Sequence, residues 1–533
     1  MRRPSFRRVS FDGRPNNRKP VRLTFKSVEE KDGIVWVVGF FVSSPVETII
    51  PYIMRIRHLS FFAAAALLLA GCKKPRVMNF DYHLDWNNAG IDVRLTVAHP
   101  QPDTLTLYYC GEDYGGQTDI FTCVKNLHAE GCTVLPDSLH YRIKLFDFQK
   151  DNVQLTYRIE QSLPDTNVNC PMEVFRPNMT ENMLYALGNH LFFLPDEEDT
   201  LILGAPTKVT WGSVPEFPVF CLYNPGKGTV DFEGDLSDLL NTVVIGDPGL
   251  HVDTVTCAGV TNYVVTVPRR LEEYNQASLK QFLRFFYTSA LQFWEETPEE
   301  PYSLIVYPFA KIPFEVTGLG LDGGFCARYS VDADTILNHE REQTFAHEIG
   351  HHWIGFGADF QWFGEGFNDF QSIYLVTASG LHGTQNFIDF FNDYLDKLHH
   401  SEIRNLPNEE IWKNFWNLGD YSWIPYWRGS IYALRLMGMI EAQTGTEHAF
   451  KDLMMAVKPS MDTLTPESFL DITSQFIDKQ VLQEDFERYI INAETMTLQG
   501  DLLPQGCAVR HKDDGTPYLV ITDEDAFAKH FVL

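Results

Sequence analysis

Two histidines four residues apart flank a glutamate in the run His347-Glu348-Ile349-Gly350-His351. On a helix this spacing puts both imidazoles on one face a turn apart, where their nitrogens can reach one metal ion at about 2 Å. Glu348, beside the first histidine, then faces water held at that ion. Zinc makes such water acidic, and a carboxylate in that place can take its proton and later pass it to a leaving amine. A hydrolytic site of this kind needs a third protein donor and one open position. Glu365, in Trp362-Phe363-Gly364-Glu365-Gly366-Phe367, is the candidate third ligand. Asp369, four residues further along the same helical face, would accept the second N–H of a ligand histidine, as metal-bound imidazoles require. It is also the alternative third ligand. The expected cofactor is one zinc ion.

The elements that must position these groups are legible as two kinds of periodicity. From Val77 to Arg270, segments such as Ile91-Asp92-Val93-Arg94-Leu95-Thr96-Val97 alternate apolar and polar, punctuated by Asn, Asp, Gly and Pro. That pattern predicts an antiparallel β-sandwich over 77–270. From Leu271 the period becomes helical, and a catalytic domain is expected over 271–380. It contains a buried strand at 303–307, a glycine-rich segment at 317–325, and the two metal helices at about 338–356 and 364–379. A helical part follows over 381–500, with helices at about 384–400, 426–444, 447–457, 466–478 and 483–493, then a tail over 501–533. As an edge strand, the glycine-rich segment would let a substrate backbone come close. The fold class is α+β.

Composition narrows the partners. A formal net charge of −28 speaks against nucleic-acid binding, which needs a basic surface to meet phosphates. Met54-Arg55-Ile56-Arg57, the apolar run Leu59 to Ala70, and Leu69-Ala70-Gly71-Cys72 follow the order of a secretory signal. The cysteine after Leu-Ala-Gly resembles the bacterial lipobox. Residues 54–72 are therefore expected to be a lipoprotein signal, with Cys72 lipidated and the protein exported, membrane-anchored, and periplasmic or on the cell surface. Residues 1–53 read as an extension upstream of the true start. Cys110, Cys123, Cys132 and Cys170 crowd one region and are the candidates for disulfides.

The residues also resemble the gluzincin peptidases, in particular the glycyl aminopeptidase family and its leucyl/alanyl aminopeptidase relatives. His347-Glu348-Ile349-Gly350-His351-His352-Trp353 is similar to their H-E-x-x-H-x-W, Glu365-Gly366-Phe367 to the motif of their third ligand, and Tyr426-Trp427-Arg428-Gly429 to their Tyr-x-Lys/Arg-Gly. The resemblance implies a thermolysin-like catalytic domain in which an edge strand binds peptide, and it gives Tyr426 the role of stabilising the oxyanion. It places Gly323, Gly324 and Phe325 in substrate binding, because Gly323-Gly324-Phe325-Cys326-Ala327-Arg328 resembles a family segment whose glutamate binds the substrate's free amine. Cys326 stands where that glutamate would be, which leaves exo- and endopeptidase activity both open. The expected function is hydrolysis of peptide bonds in peptide or protein substrates. The alternative is a lipid-anchored binding protein that keeps the fold without catalysis.

Overall fold

The computed structural model describes a hairpin, Phe25–Glu30 with Gly33–Val38, and residues 77–533 apart from 101–102, 111–118, 138–141, 162–175, 197–198, 227, 269–275, 310–315, 331–338, 356–360, 418 and 500–501. Cys72, the signal-like segment 54–72 and Cys170 lie outside the described residues. Residues 77–533 form one compact unit.

Its first part is a sandwich of two sheets around a shared core. The larger sheet has six strands in the order Phe232–Asp235, Pro206–Ser213, Asn79–Trp86, Gly90–Ala98, Asn152–Glu160, Val124–Glu130. The facing sheet has three: Thr104–Tyr108, Arg142–Phe146 and Thr133–Pro136. Period-two patterning explains the packing. Ile91, Val93, Leu95 and Val97 are buried with Leu105, Leu107, Ile143 and Leu145, while the residues between them face outward. The expected antiparallel arrangement holds except where Pro206–Ser213 runs parallel to Asn79–Trp86. Cys110, Cys123 and Cys132 carry free thiols.

The sheet that serves the metal helices begins earlier in the chain than the sequence periodicity suggests. It is built from β1 (His251–Cys257), β2 (Val260–Thr266), β3 (Ser303–Phe309), β4 (Val316–Thr317), β5 (Gly320–Leu321) and β6 (Gly324–Ser330). The first two strands read from sequence as part of the sandwich, but β2 pairs in parallel with β3, from Tyr263↔Ser303 to Thr266↔Val306. A lone strand's composition reveals that it is a strand without revealing which sheet accepts it. The parallel connection needs a crossover, and α1 (Gln276–Phe293) supplies it. β6 lies parallel to β3, while the short β4 and β5 run antiparallel along its outer side.

Six helices matter to the site: α1, α2 (His339–Gly350), α3 (Gly366–Ala378, preceded by a helical turn Gln361–Gly364), α4 (Thr384–His400), α5 (Asp420–Thr444) and α6 (Ala449–Val457). Every residue of α3 from Gly366 to Thr377 is buried, making it the central helix of the unit. α5 begins at Asp420, six residues before the expected boundary, and carries Pro425 within it. Proline removes one N–H from a helix interior, and the helix continues through it. The tail folds into a hairpin, Cys507–His511 with Pro517–Ile521, tied to α4 where the Asn392 amide donates to the Leu519 carbonyl at 3.0 Å.

Candidate metal centre

α2 and α3 cross at a contact that only glycine permits. A Cβ on Gly350 would fall 2.1 Å from Asn368 Oδ1, and the Asn368 amide donates to the His347 carbonyl at 2.7 Å. Close crossing brings His347 and His351 against Glu365 at the head of α3. Their Nε2 atoms are 3.1 Å apart, and Glu365 Oε2 is 3.2 Å from one and 3.6 Å from the other. These three are the donor group among the described residues that could hold a metal ion.

The other ring nitrogens are already committed. His347 Nδ1 donates to Asp369 Oδ1 at 3.2 Å, and His351 Nδ1 donates to the Ile354 carbonyl at 3.0 Å. The Nε2 atoms therefore face one another and a carboxylate, so the group is held together either by a proton on Nε2 or, with both imidazoles neutral, by a cation between them. Burial by itself lowers the His347 imidazole, but bonds to Asp369 and Glu365 outweigh burial and push it up to about 10. Burial likewise raises Glu365, yet the two histidines win and hold it well below the usual carboxylate range. Two imidazoles and one carboxylate are a donor set that fits a hydrolytic zinc site.

Of the two acids proposed as third ligand, Glu365 meets the histidine pair and Asp369 orients His347 from behind. Asp369 is itself held: Tyr394 on α4 donates to Oδ2, and Gln343 donates to Oδ1 at 3.4 Å. Gln343 is four residues before His347 on α2, so helical spacing contained that signal. Tyr394 comes from a helix that sequence cannot place beside Asp369.

Tyr426 stands in the second turn of α5 with its ring centroid 5.3 Å from that of His347. Burial, then the charges of Glu365 and Glu348, push its hydroxyl well above the ordinary tyrosine value, so it stays a donor. Its distance from Glu365 is set by two glycines. A Cβ on Gly366 would lie 2.3 Å from Gly429 Cα, and one on Gly429 would lie 1.9 Å from the Trp362 carbonyl. The glycine after the ligand and the glycine three residues after the tyrosine are thus the point where α3 meets α5.

The outer edge of this sheet lies one strand beyond the segment that the resemblance gave to substrate binding. Phe325 is fully buried, with its ring 5.1 Å from that of Phe345 on α2, and Cys326 is fully buried on the opposite face of the sheet. Gly323 sits in the turn between β5 and β6 with φ +72°, and Gly324 packs against Leu222 and Ser303. None of these residues reaches the metal group. The edge is the stretch from β4 to β5. There Leu319 exchanges both backbone hydrogen bonds with Cys326, at 3.1 and 2.9 Å, so the backbone groups of Gly318 and Gly320 point outward. The Gly320 N–H donates to Glu348 Oε2 at 3.1 Å, and a Cβ on Gly318 would fall 2.7 Å from Glu348 Cγ. Glycine is required here because Glu348 lies directly over the strand. Asp322 follows at the turn that ends the edge; part of its surface is accessible, but the carboxyl is desolvated enough to be raised, with a bond to Asn241 opposing the shift. The signal in the sequence was the glycine-rich run at 317–325, whose residues at 318 and 320 lie on the edge.

No protein-family model matches the sequence, nor does any curated protein. Solved structures do match. An aminopeptidase N family protein from Idiomarina loihiensis superposes with a TM-score of 0.65 at 16% identity, over 83% of this chain and 81% of that one. An M1 zinc metallopeptidase from Deinococcus radiodurans gives 0.50 at 14% identity, over 79% and 95%. Yeast LTA4 hydrolase gives 0.50 at 15% identity, over 79% and 68%. At these identities the likeness is one of architecture, and it agrees with the gluzincin resemblance: the fold of this chain is that of the M1 zinc metallopeptidases.

Proposed function

We propose that this protein is a zinc-dependent peptidase. The observation that carries the reading is the convergence of His347, His351 and Glu365 beside a carboxylate, Glu348, held over a glycine edge strand. Zinc bound there would supply a Lewis acid and an acidified water. Glu348 takes the proton of the attacking water and delivers it to the leaving nitrogen. Tyr426 donates to the carbonyl oxygen as negative charge develops on it. Asp369 fixes the tautomer of His347. The substrate backbone adds to the sheet beside Gly318 and Gly320, a mode that reads main chain rather than side chains.

The sequence argument against aminopeptidase activity was Cys326 in the place of an acid. The Cys326 side chain is fully buried, on the face of the sheet opposite Phe325 and α2, so it does not mark the place of a substrate's amine and that argument loses its force. The acid at the end of the edge is Asp322, and we assign it the substrate's free ammonium. Lipid attached at Cys72 would hold the enzyme to a membrane after export, and a Cys72→Ser variant recovered in the soluble fraction would support that anchor.

The test is metal analysis together with cleavage profiling of a peptide library, free and N-acetylated. About one zinc per chain is expected. Cleavage of free-ended peptides should be lost by roughly 10²- to 10⁴-fold in Glu348→Gln with zinc retained. Full activity in Glu348→Gln would end the peptidase reading, and equal cleavage of acetylated peptides would end the assignment of Asp322.

A further inference from the structure

The first turns of α5 carry an exposed indole beside the metal centre. Trp423 lies three residues before Tyr426, so the two side chains share one face of the helix. Their ring centroids are 5.5 Å apart, and the Tyr426 ring is in turn 5.3 Å from that of His347. A row of three rings therefore runs from the donor group out to solvent.

Exposure sets this tryptophan apart. Trp423 keeps 46% of its surface open, whereas Trp294, Trp353, Trp362 and Trp427 of the same part of the chain are exposed by 8% or less. Single apolar residues on a surface are ordinary. Here, however, the exposed ring touches the tyrosine that packs on a candidate metal ligand, and its backbone is tied down. Ser401 Oγ donates to Asp420 Oδ2 at 2.6 Å, and Ser422 Oγ donates to the Phe415 carbonyl at 2.6 Å. Ile424 and Trp427, on either side of the Trp423 and Tyr426 pair, are buried and anchor the helix. An indole on a fixed base offers a large contact area at small entropic cost when another apolar group covers it.

The edge strand cannot select among side chains, because Gly318 and Gly320 present only backbone there. Selectivity next to the bond must come from another wall, and α5 supplies one. We propose that Trp423 is a specificity residue, packing on an aromatic or large aliphatic side chain of the residue next to the scissile bond. This rests on the peptidase reading for the identity of that bond. It narrows the substrate class to peptides with a bulky apolar residue there, in preference to glycine.

The probes are Phe-Gly-Gly, Gly-Phe-Gly and triglycine. At least one of the phenylalanine peptides is expected to exceed triglycine in kcat/KM by about tenfold or more, and the position that does so locates the indole relative to the bond. Trp423→Ala should bring that ratio down about tenfold, the scale of one apolar contact, and Trp423→Phe should keep most of it. An indole that merely supported Tyr426 would slow all three peptides by one factor, so an unchanged ratio in Trp423→Ala overturns the proposal. The same peptides titrated by calorimetry into zinc-loaded Glu348→Gln, with and without Trp423→Ala, read recognition apart from cleavage. A phenylalanine preference in binding that Trp423→Ala removes, in a protein whose wild type cleaves nothing, would sink the peptidase reading and keep the contact. Cleavage with the same ratio in Trp423→Ala would keep the peptidase and sink the contact.

Discussion

Asp369 and Tyr426 show how much of the candidate centre rests on single atoms. Asp369 holds the His347 ring by Nδ1 while Tyr394 and Gln343 hold its own oxygens. Asp369→Asn keeps the shape but offers His347 an amide that can present the wrong group. Metal affinity is expected to fall about 10- to 100-fold, as such substitutions typically do, measured by competition with a chelator, with folding intact. Tyr426→Phe removes only a hydroxyl. If that hydroxyl acts on charge that develops during the reaction, kcat should fall about 10²-fold while KM and zinc content stay near wild type. A change in KM alone would assign Tyr426 to ground-state binding instead.

Helix contacts, rather than side-chain chemistry, set the distances among these groups. Gly366 and Gly429 meet where α3 crosses α5, and that contact fixes Glu365 relative to Tyr426. Gly429→Ala introduces a methyl where the Trp362 carbonyl stands. The helices must separate, at a cost of about 1–3 kcal/mol for overpacking, read as a lower midpoint in urea. Activity should fall with it even at temperatures where the variant remains folded, because the separation moves the tyrosine from the ligand. The edge strand follows the same logic. Glu348 lies over Gly318 and Gly320, so its carboxylate and the backbone of the edge are placed by one packing contact.

Across the whole compact unit, Glu296 links regions far apart in sequence. It accepts from Trp353 Nε1 at 2.8 Å, just beyond the metal helix, and lies 2.8 Å from Lys458 after α6. Burial raises its carboxyl, but the bonds from Lys458 and Trp353 prevail and hold it below the ordinary glutamate value. A depressed carboxylate stabilises the fold fully above its unfolded pKa, about 4.3, and that contribution is lost as pH falls through the folded value. Glu296→Gln should therefore be less stable than wild type at pH 7, and the difference should shrink below about pH 4. Denaturant midpoints against pH check this, and a constant difference down to pH 3 would contradict it.

The sequence by itself determined what depends on neighbours within a helical turn. His347, Glu348 and His351 share a face because four residues make a turn, and Glu365 with Asp369 follow the same rule. The strands of the sandwich were visible because burial on one face writes a period of two. Tertiary structure decided which acid joins the histidines and which orients them, since both spacings suit either role until α2 and α3 are crossed. It also decided the sheet register that buries Phe325 and Cys326 and leaves Gly318 and Gly320 on the edge, because a run of glycines carries no side-chain pattern to fix pairing. Tyr394 meets Asp369 only through packing between distant segments, and no local spacing encodes that contact.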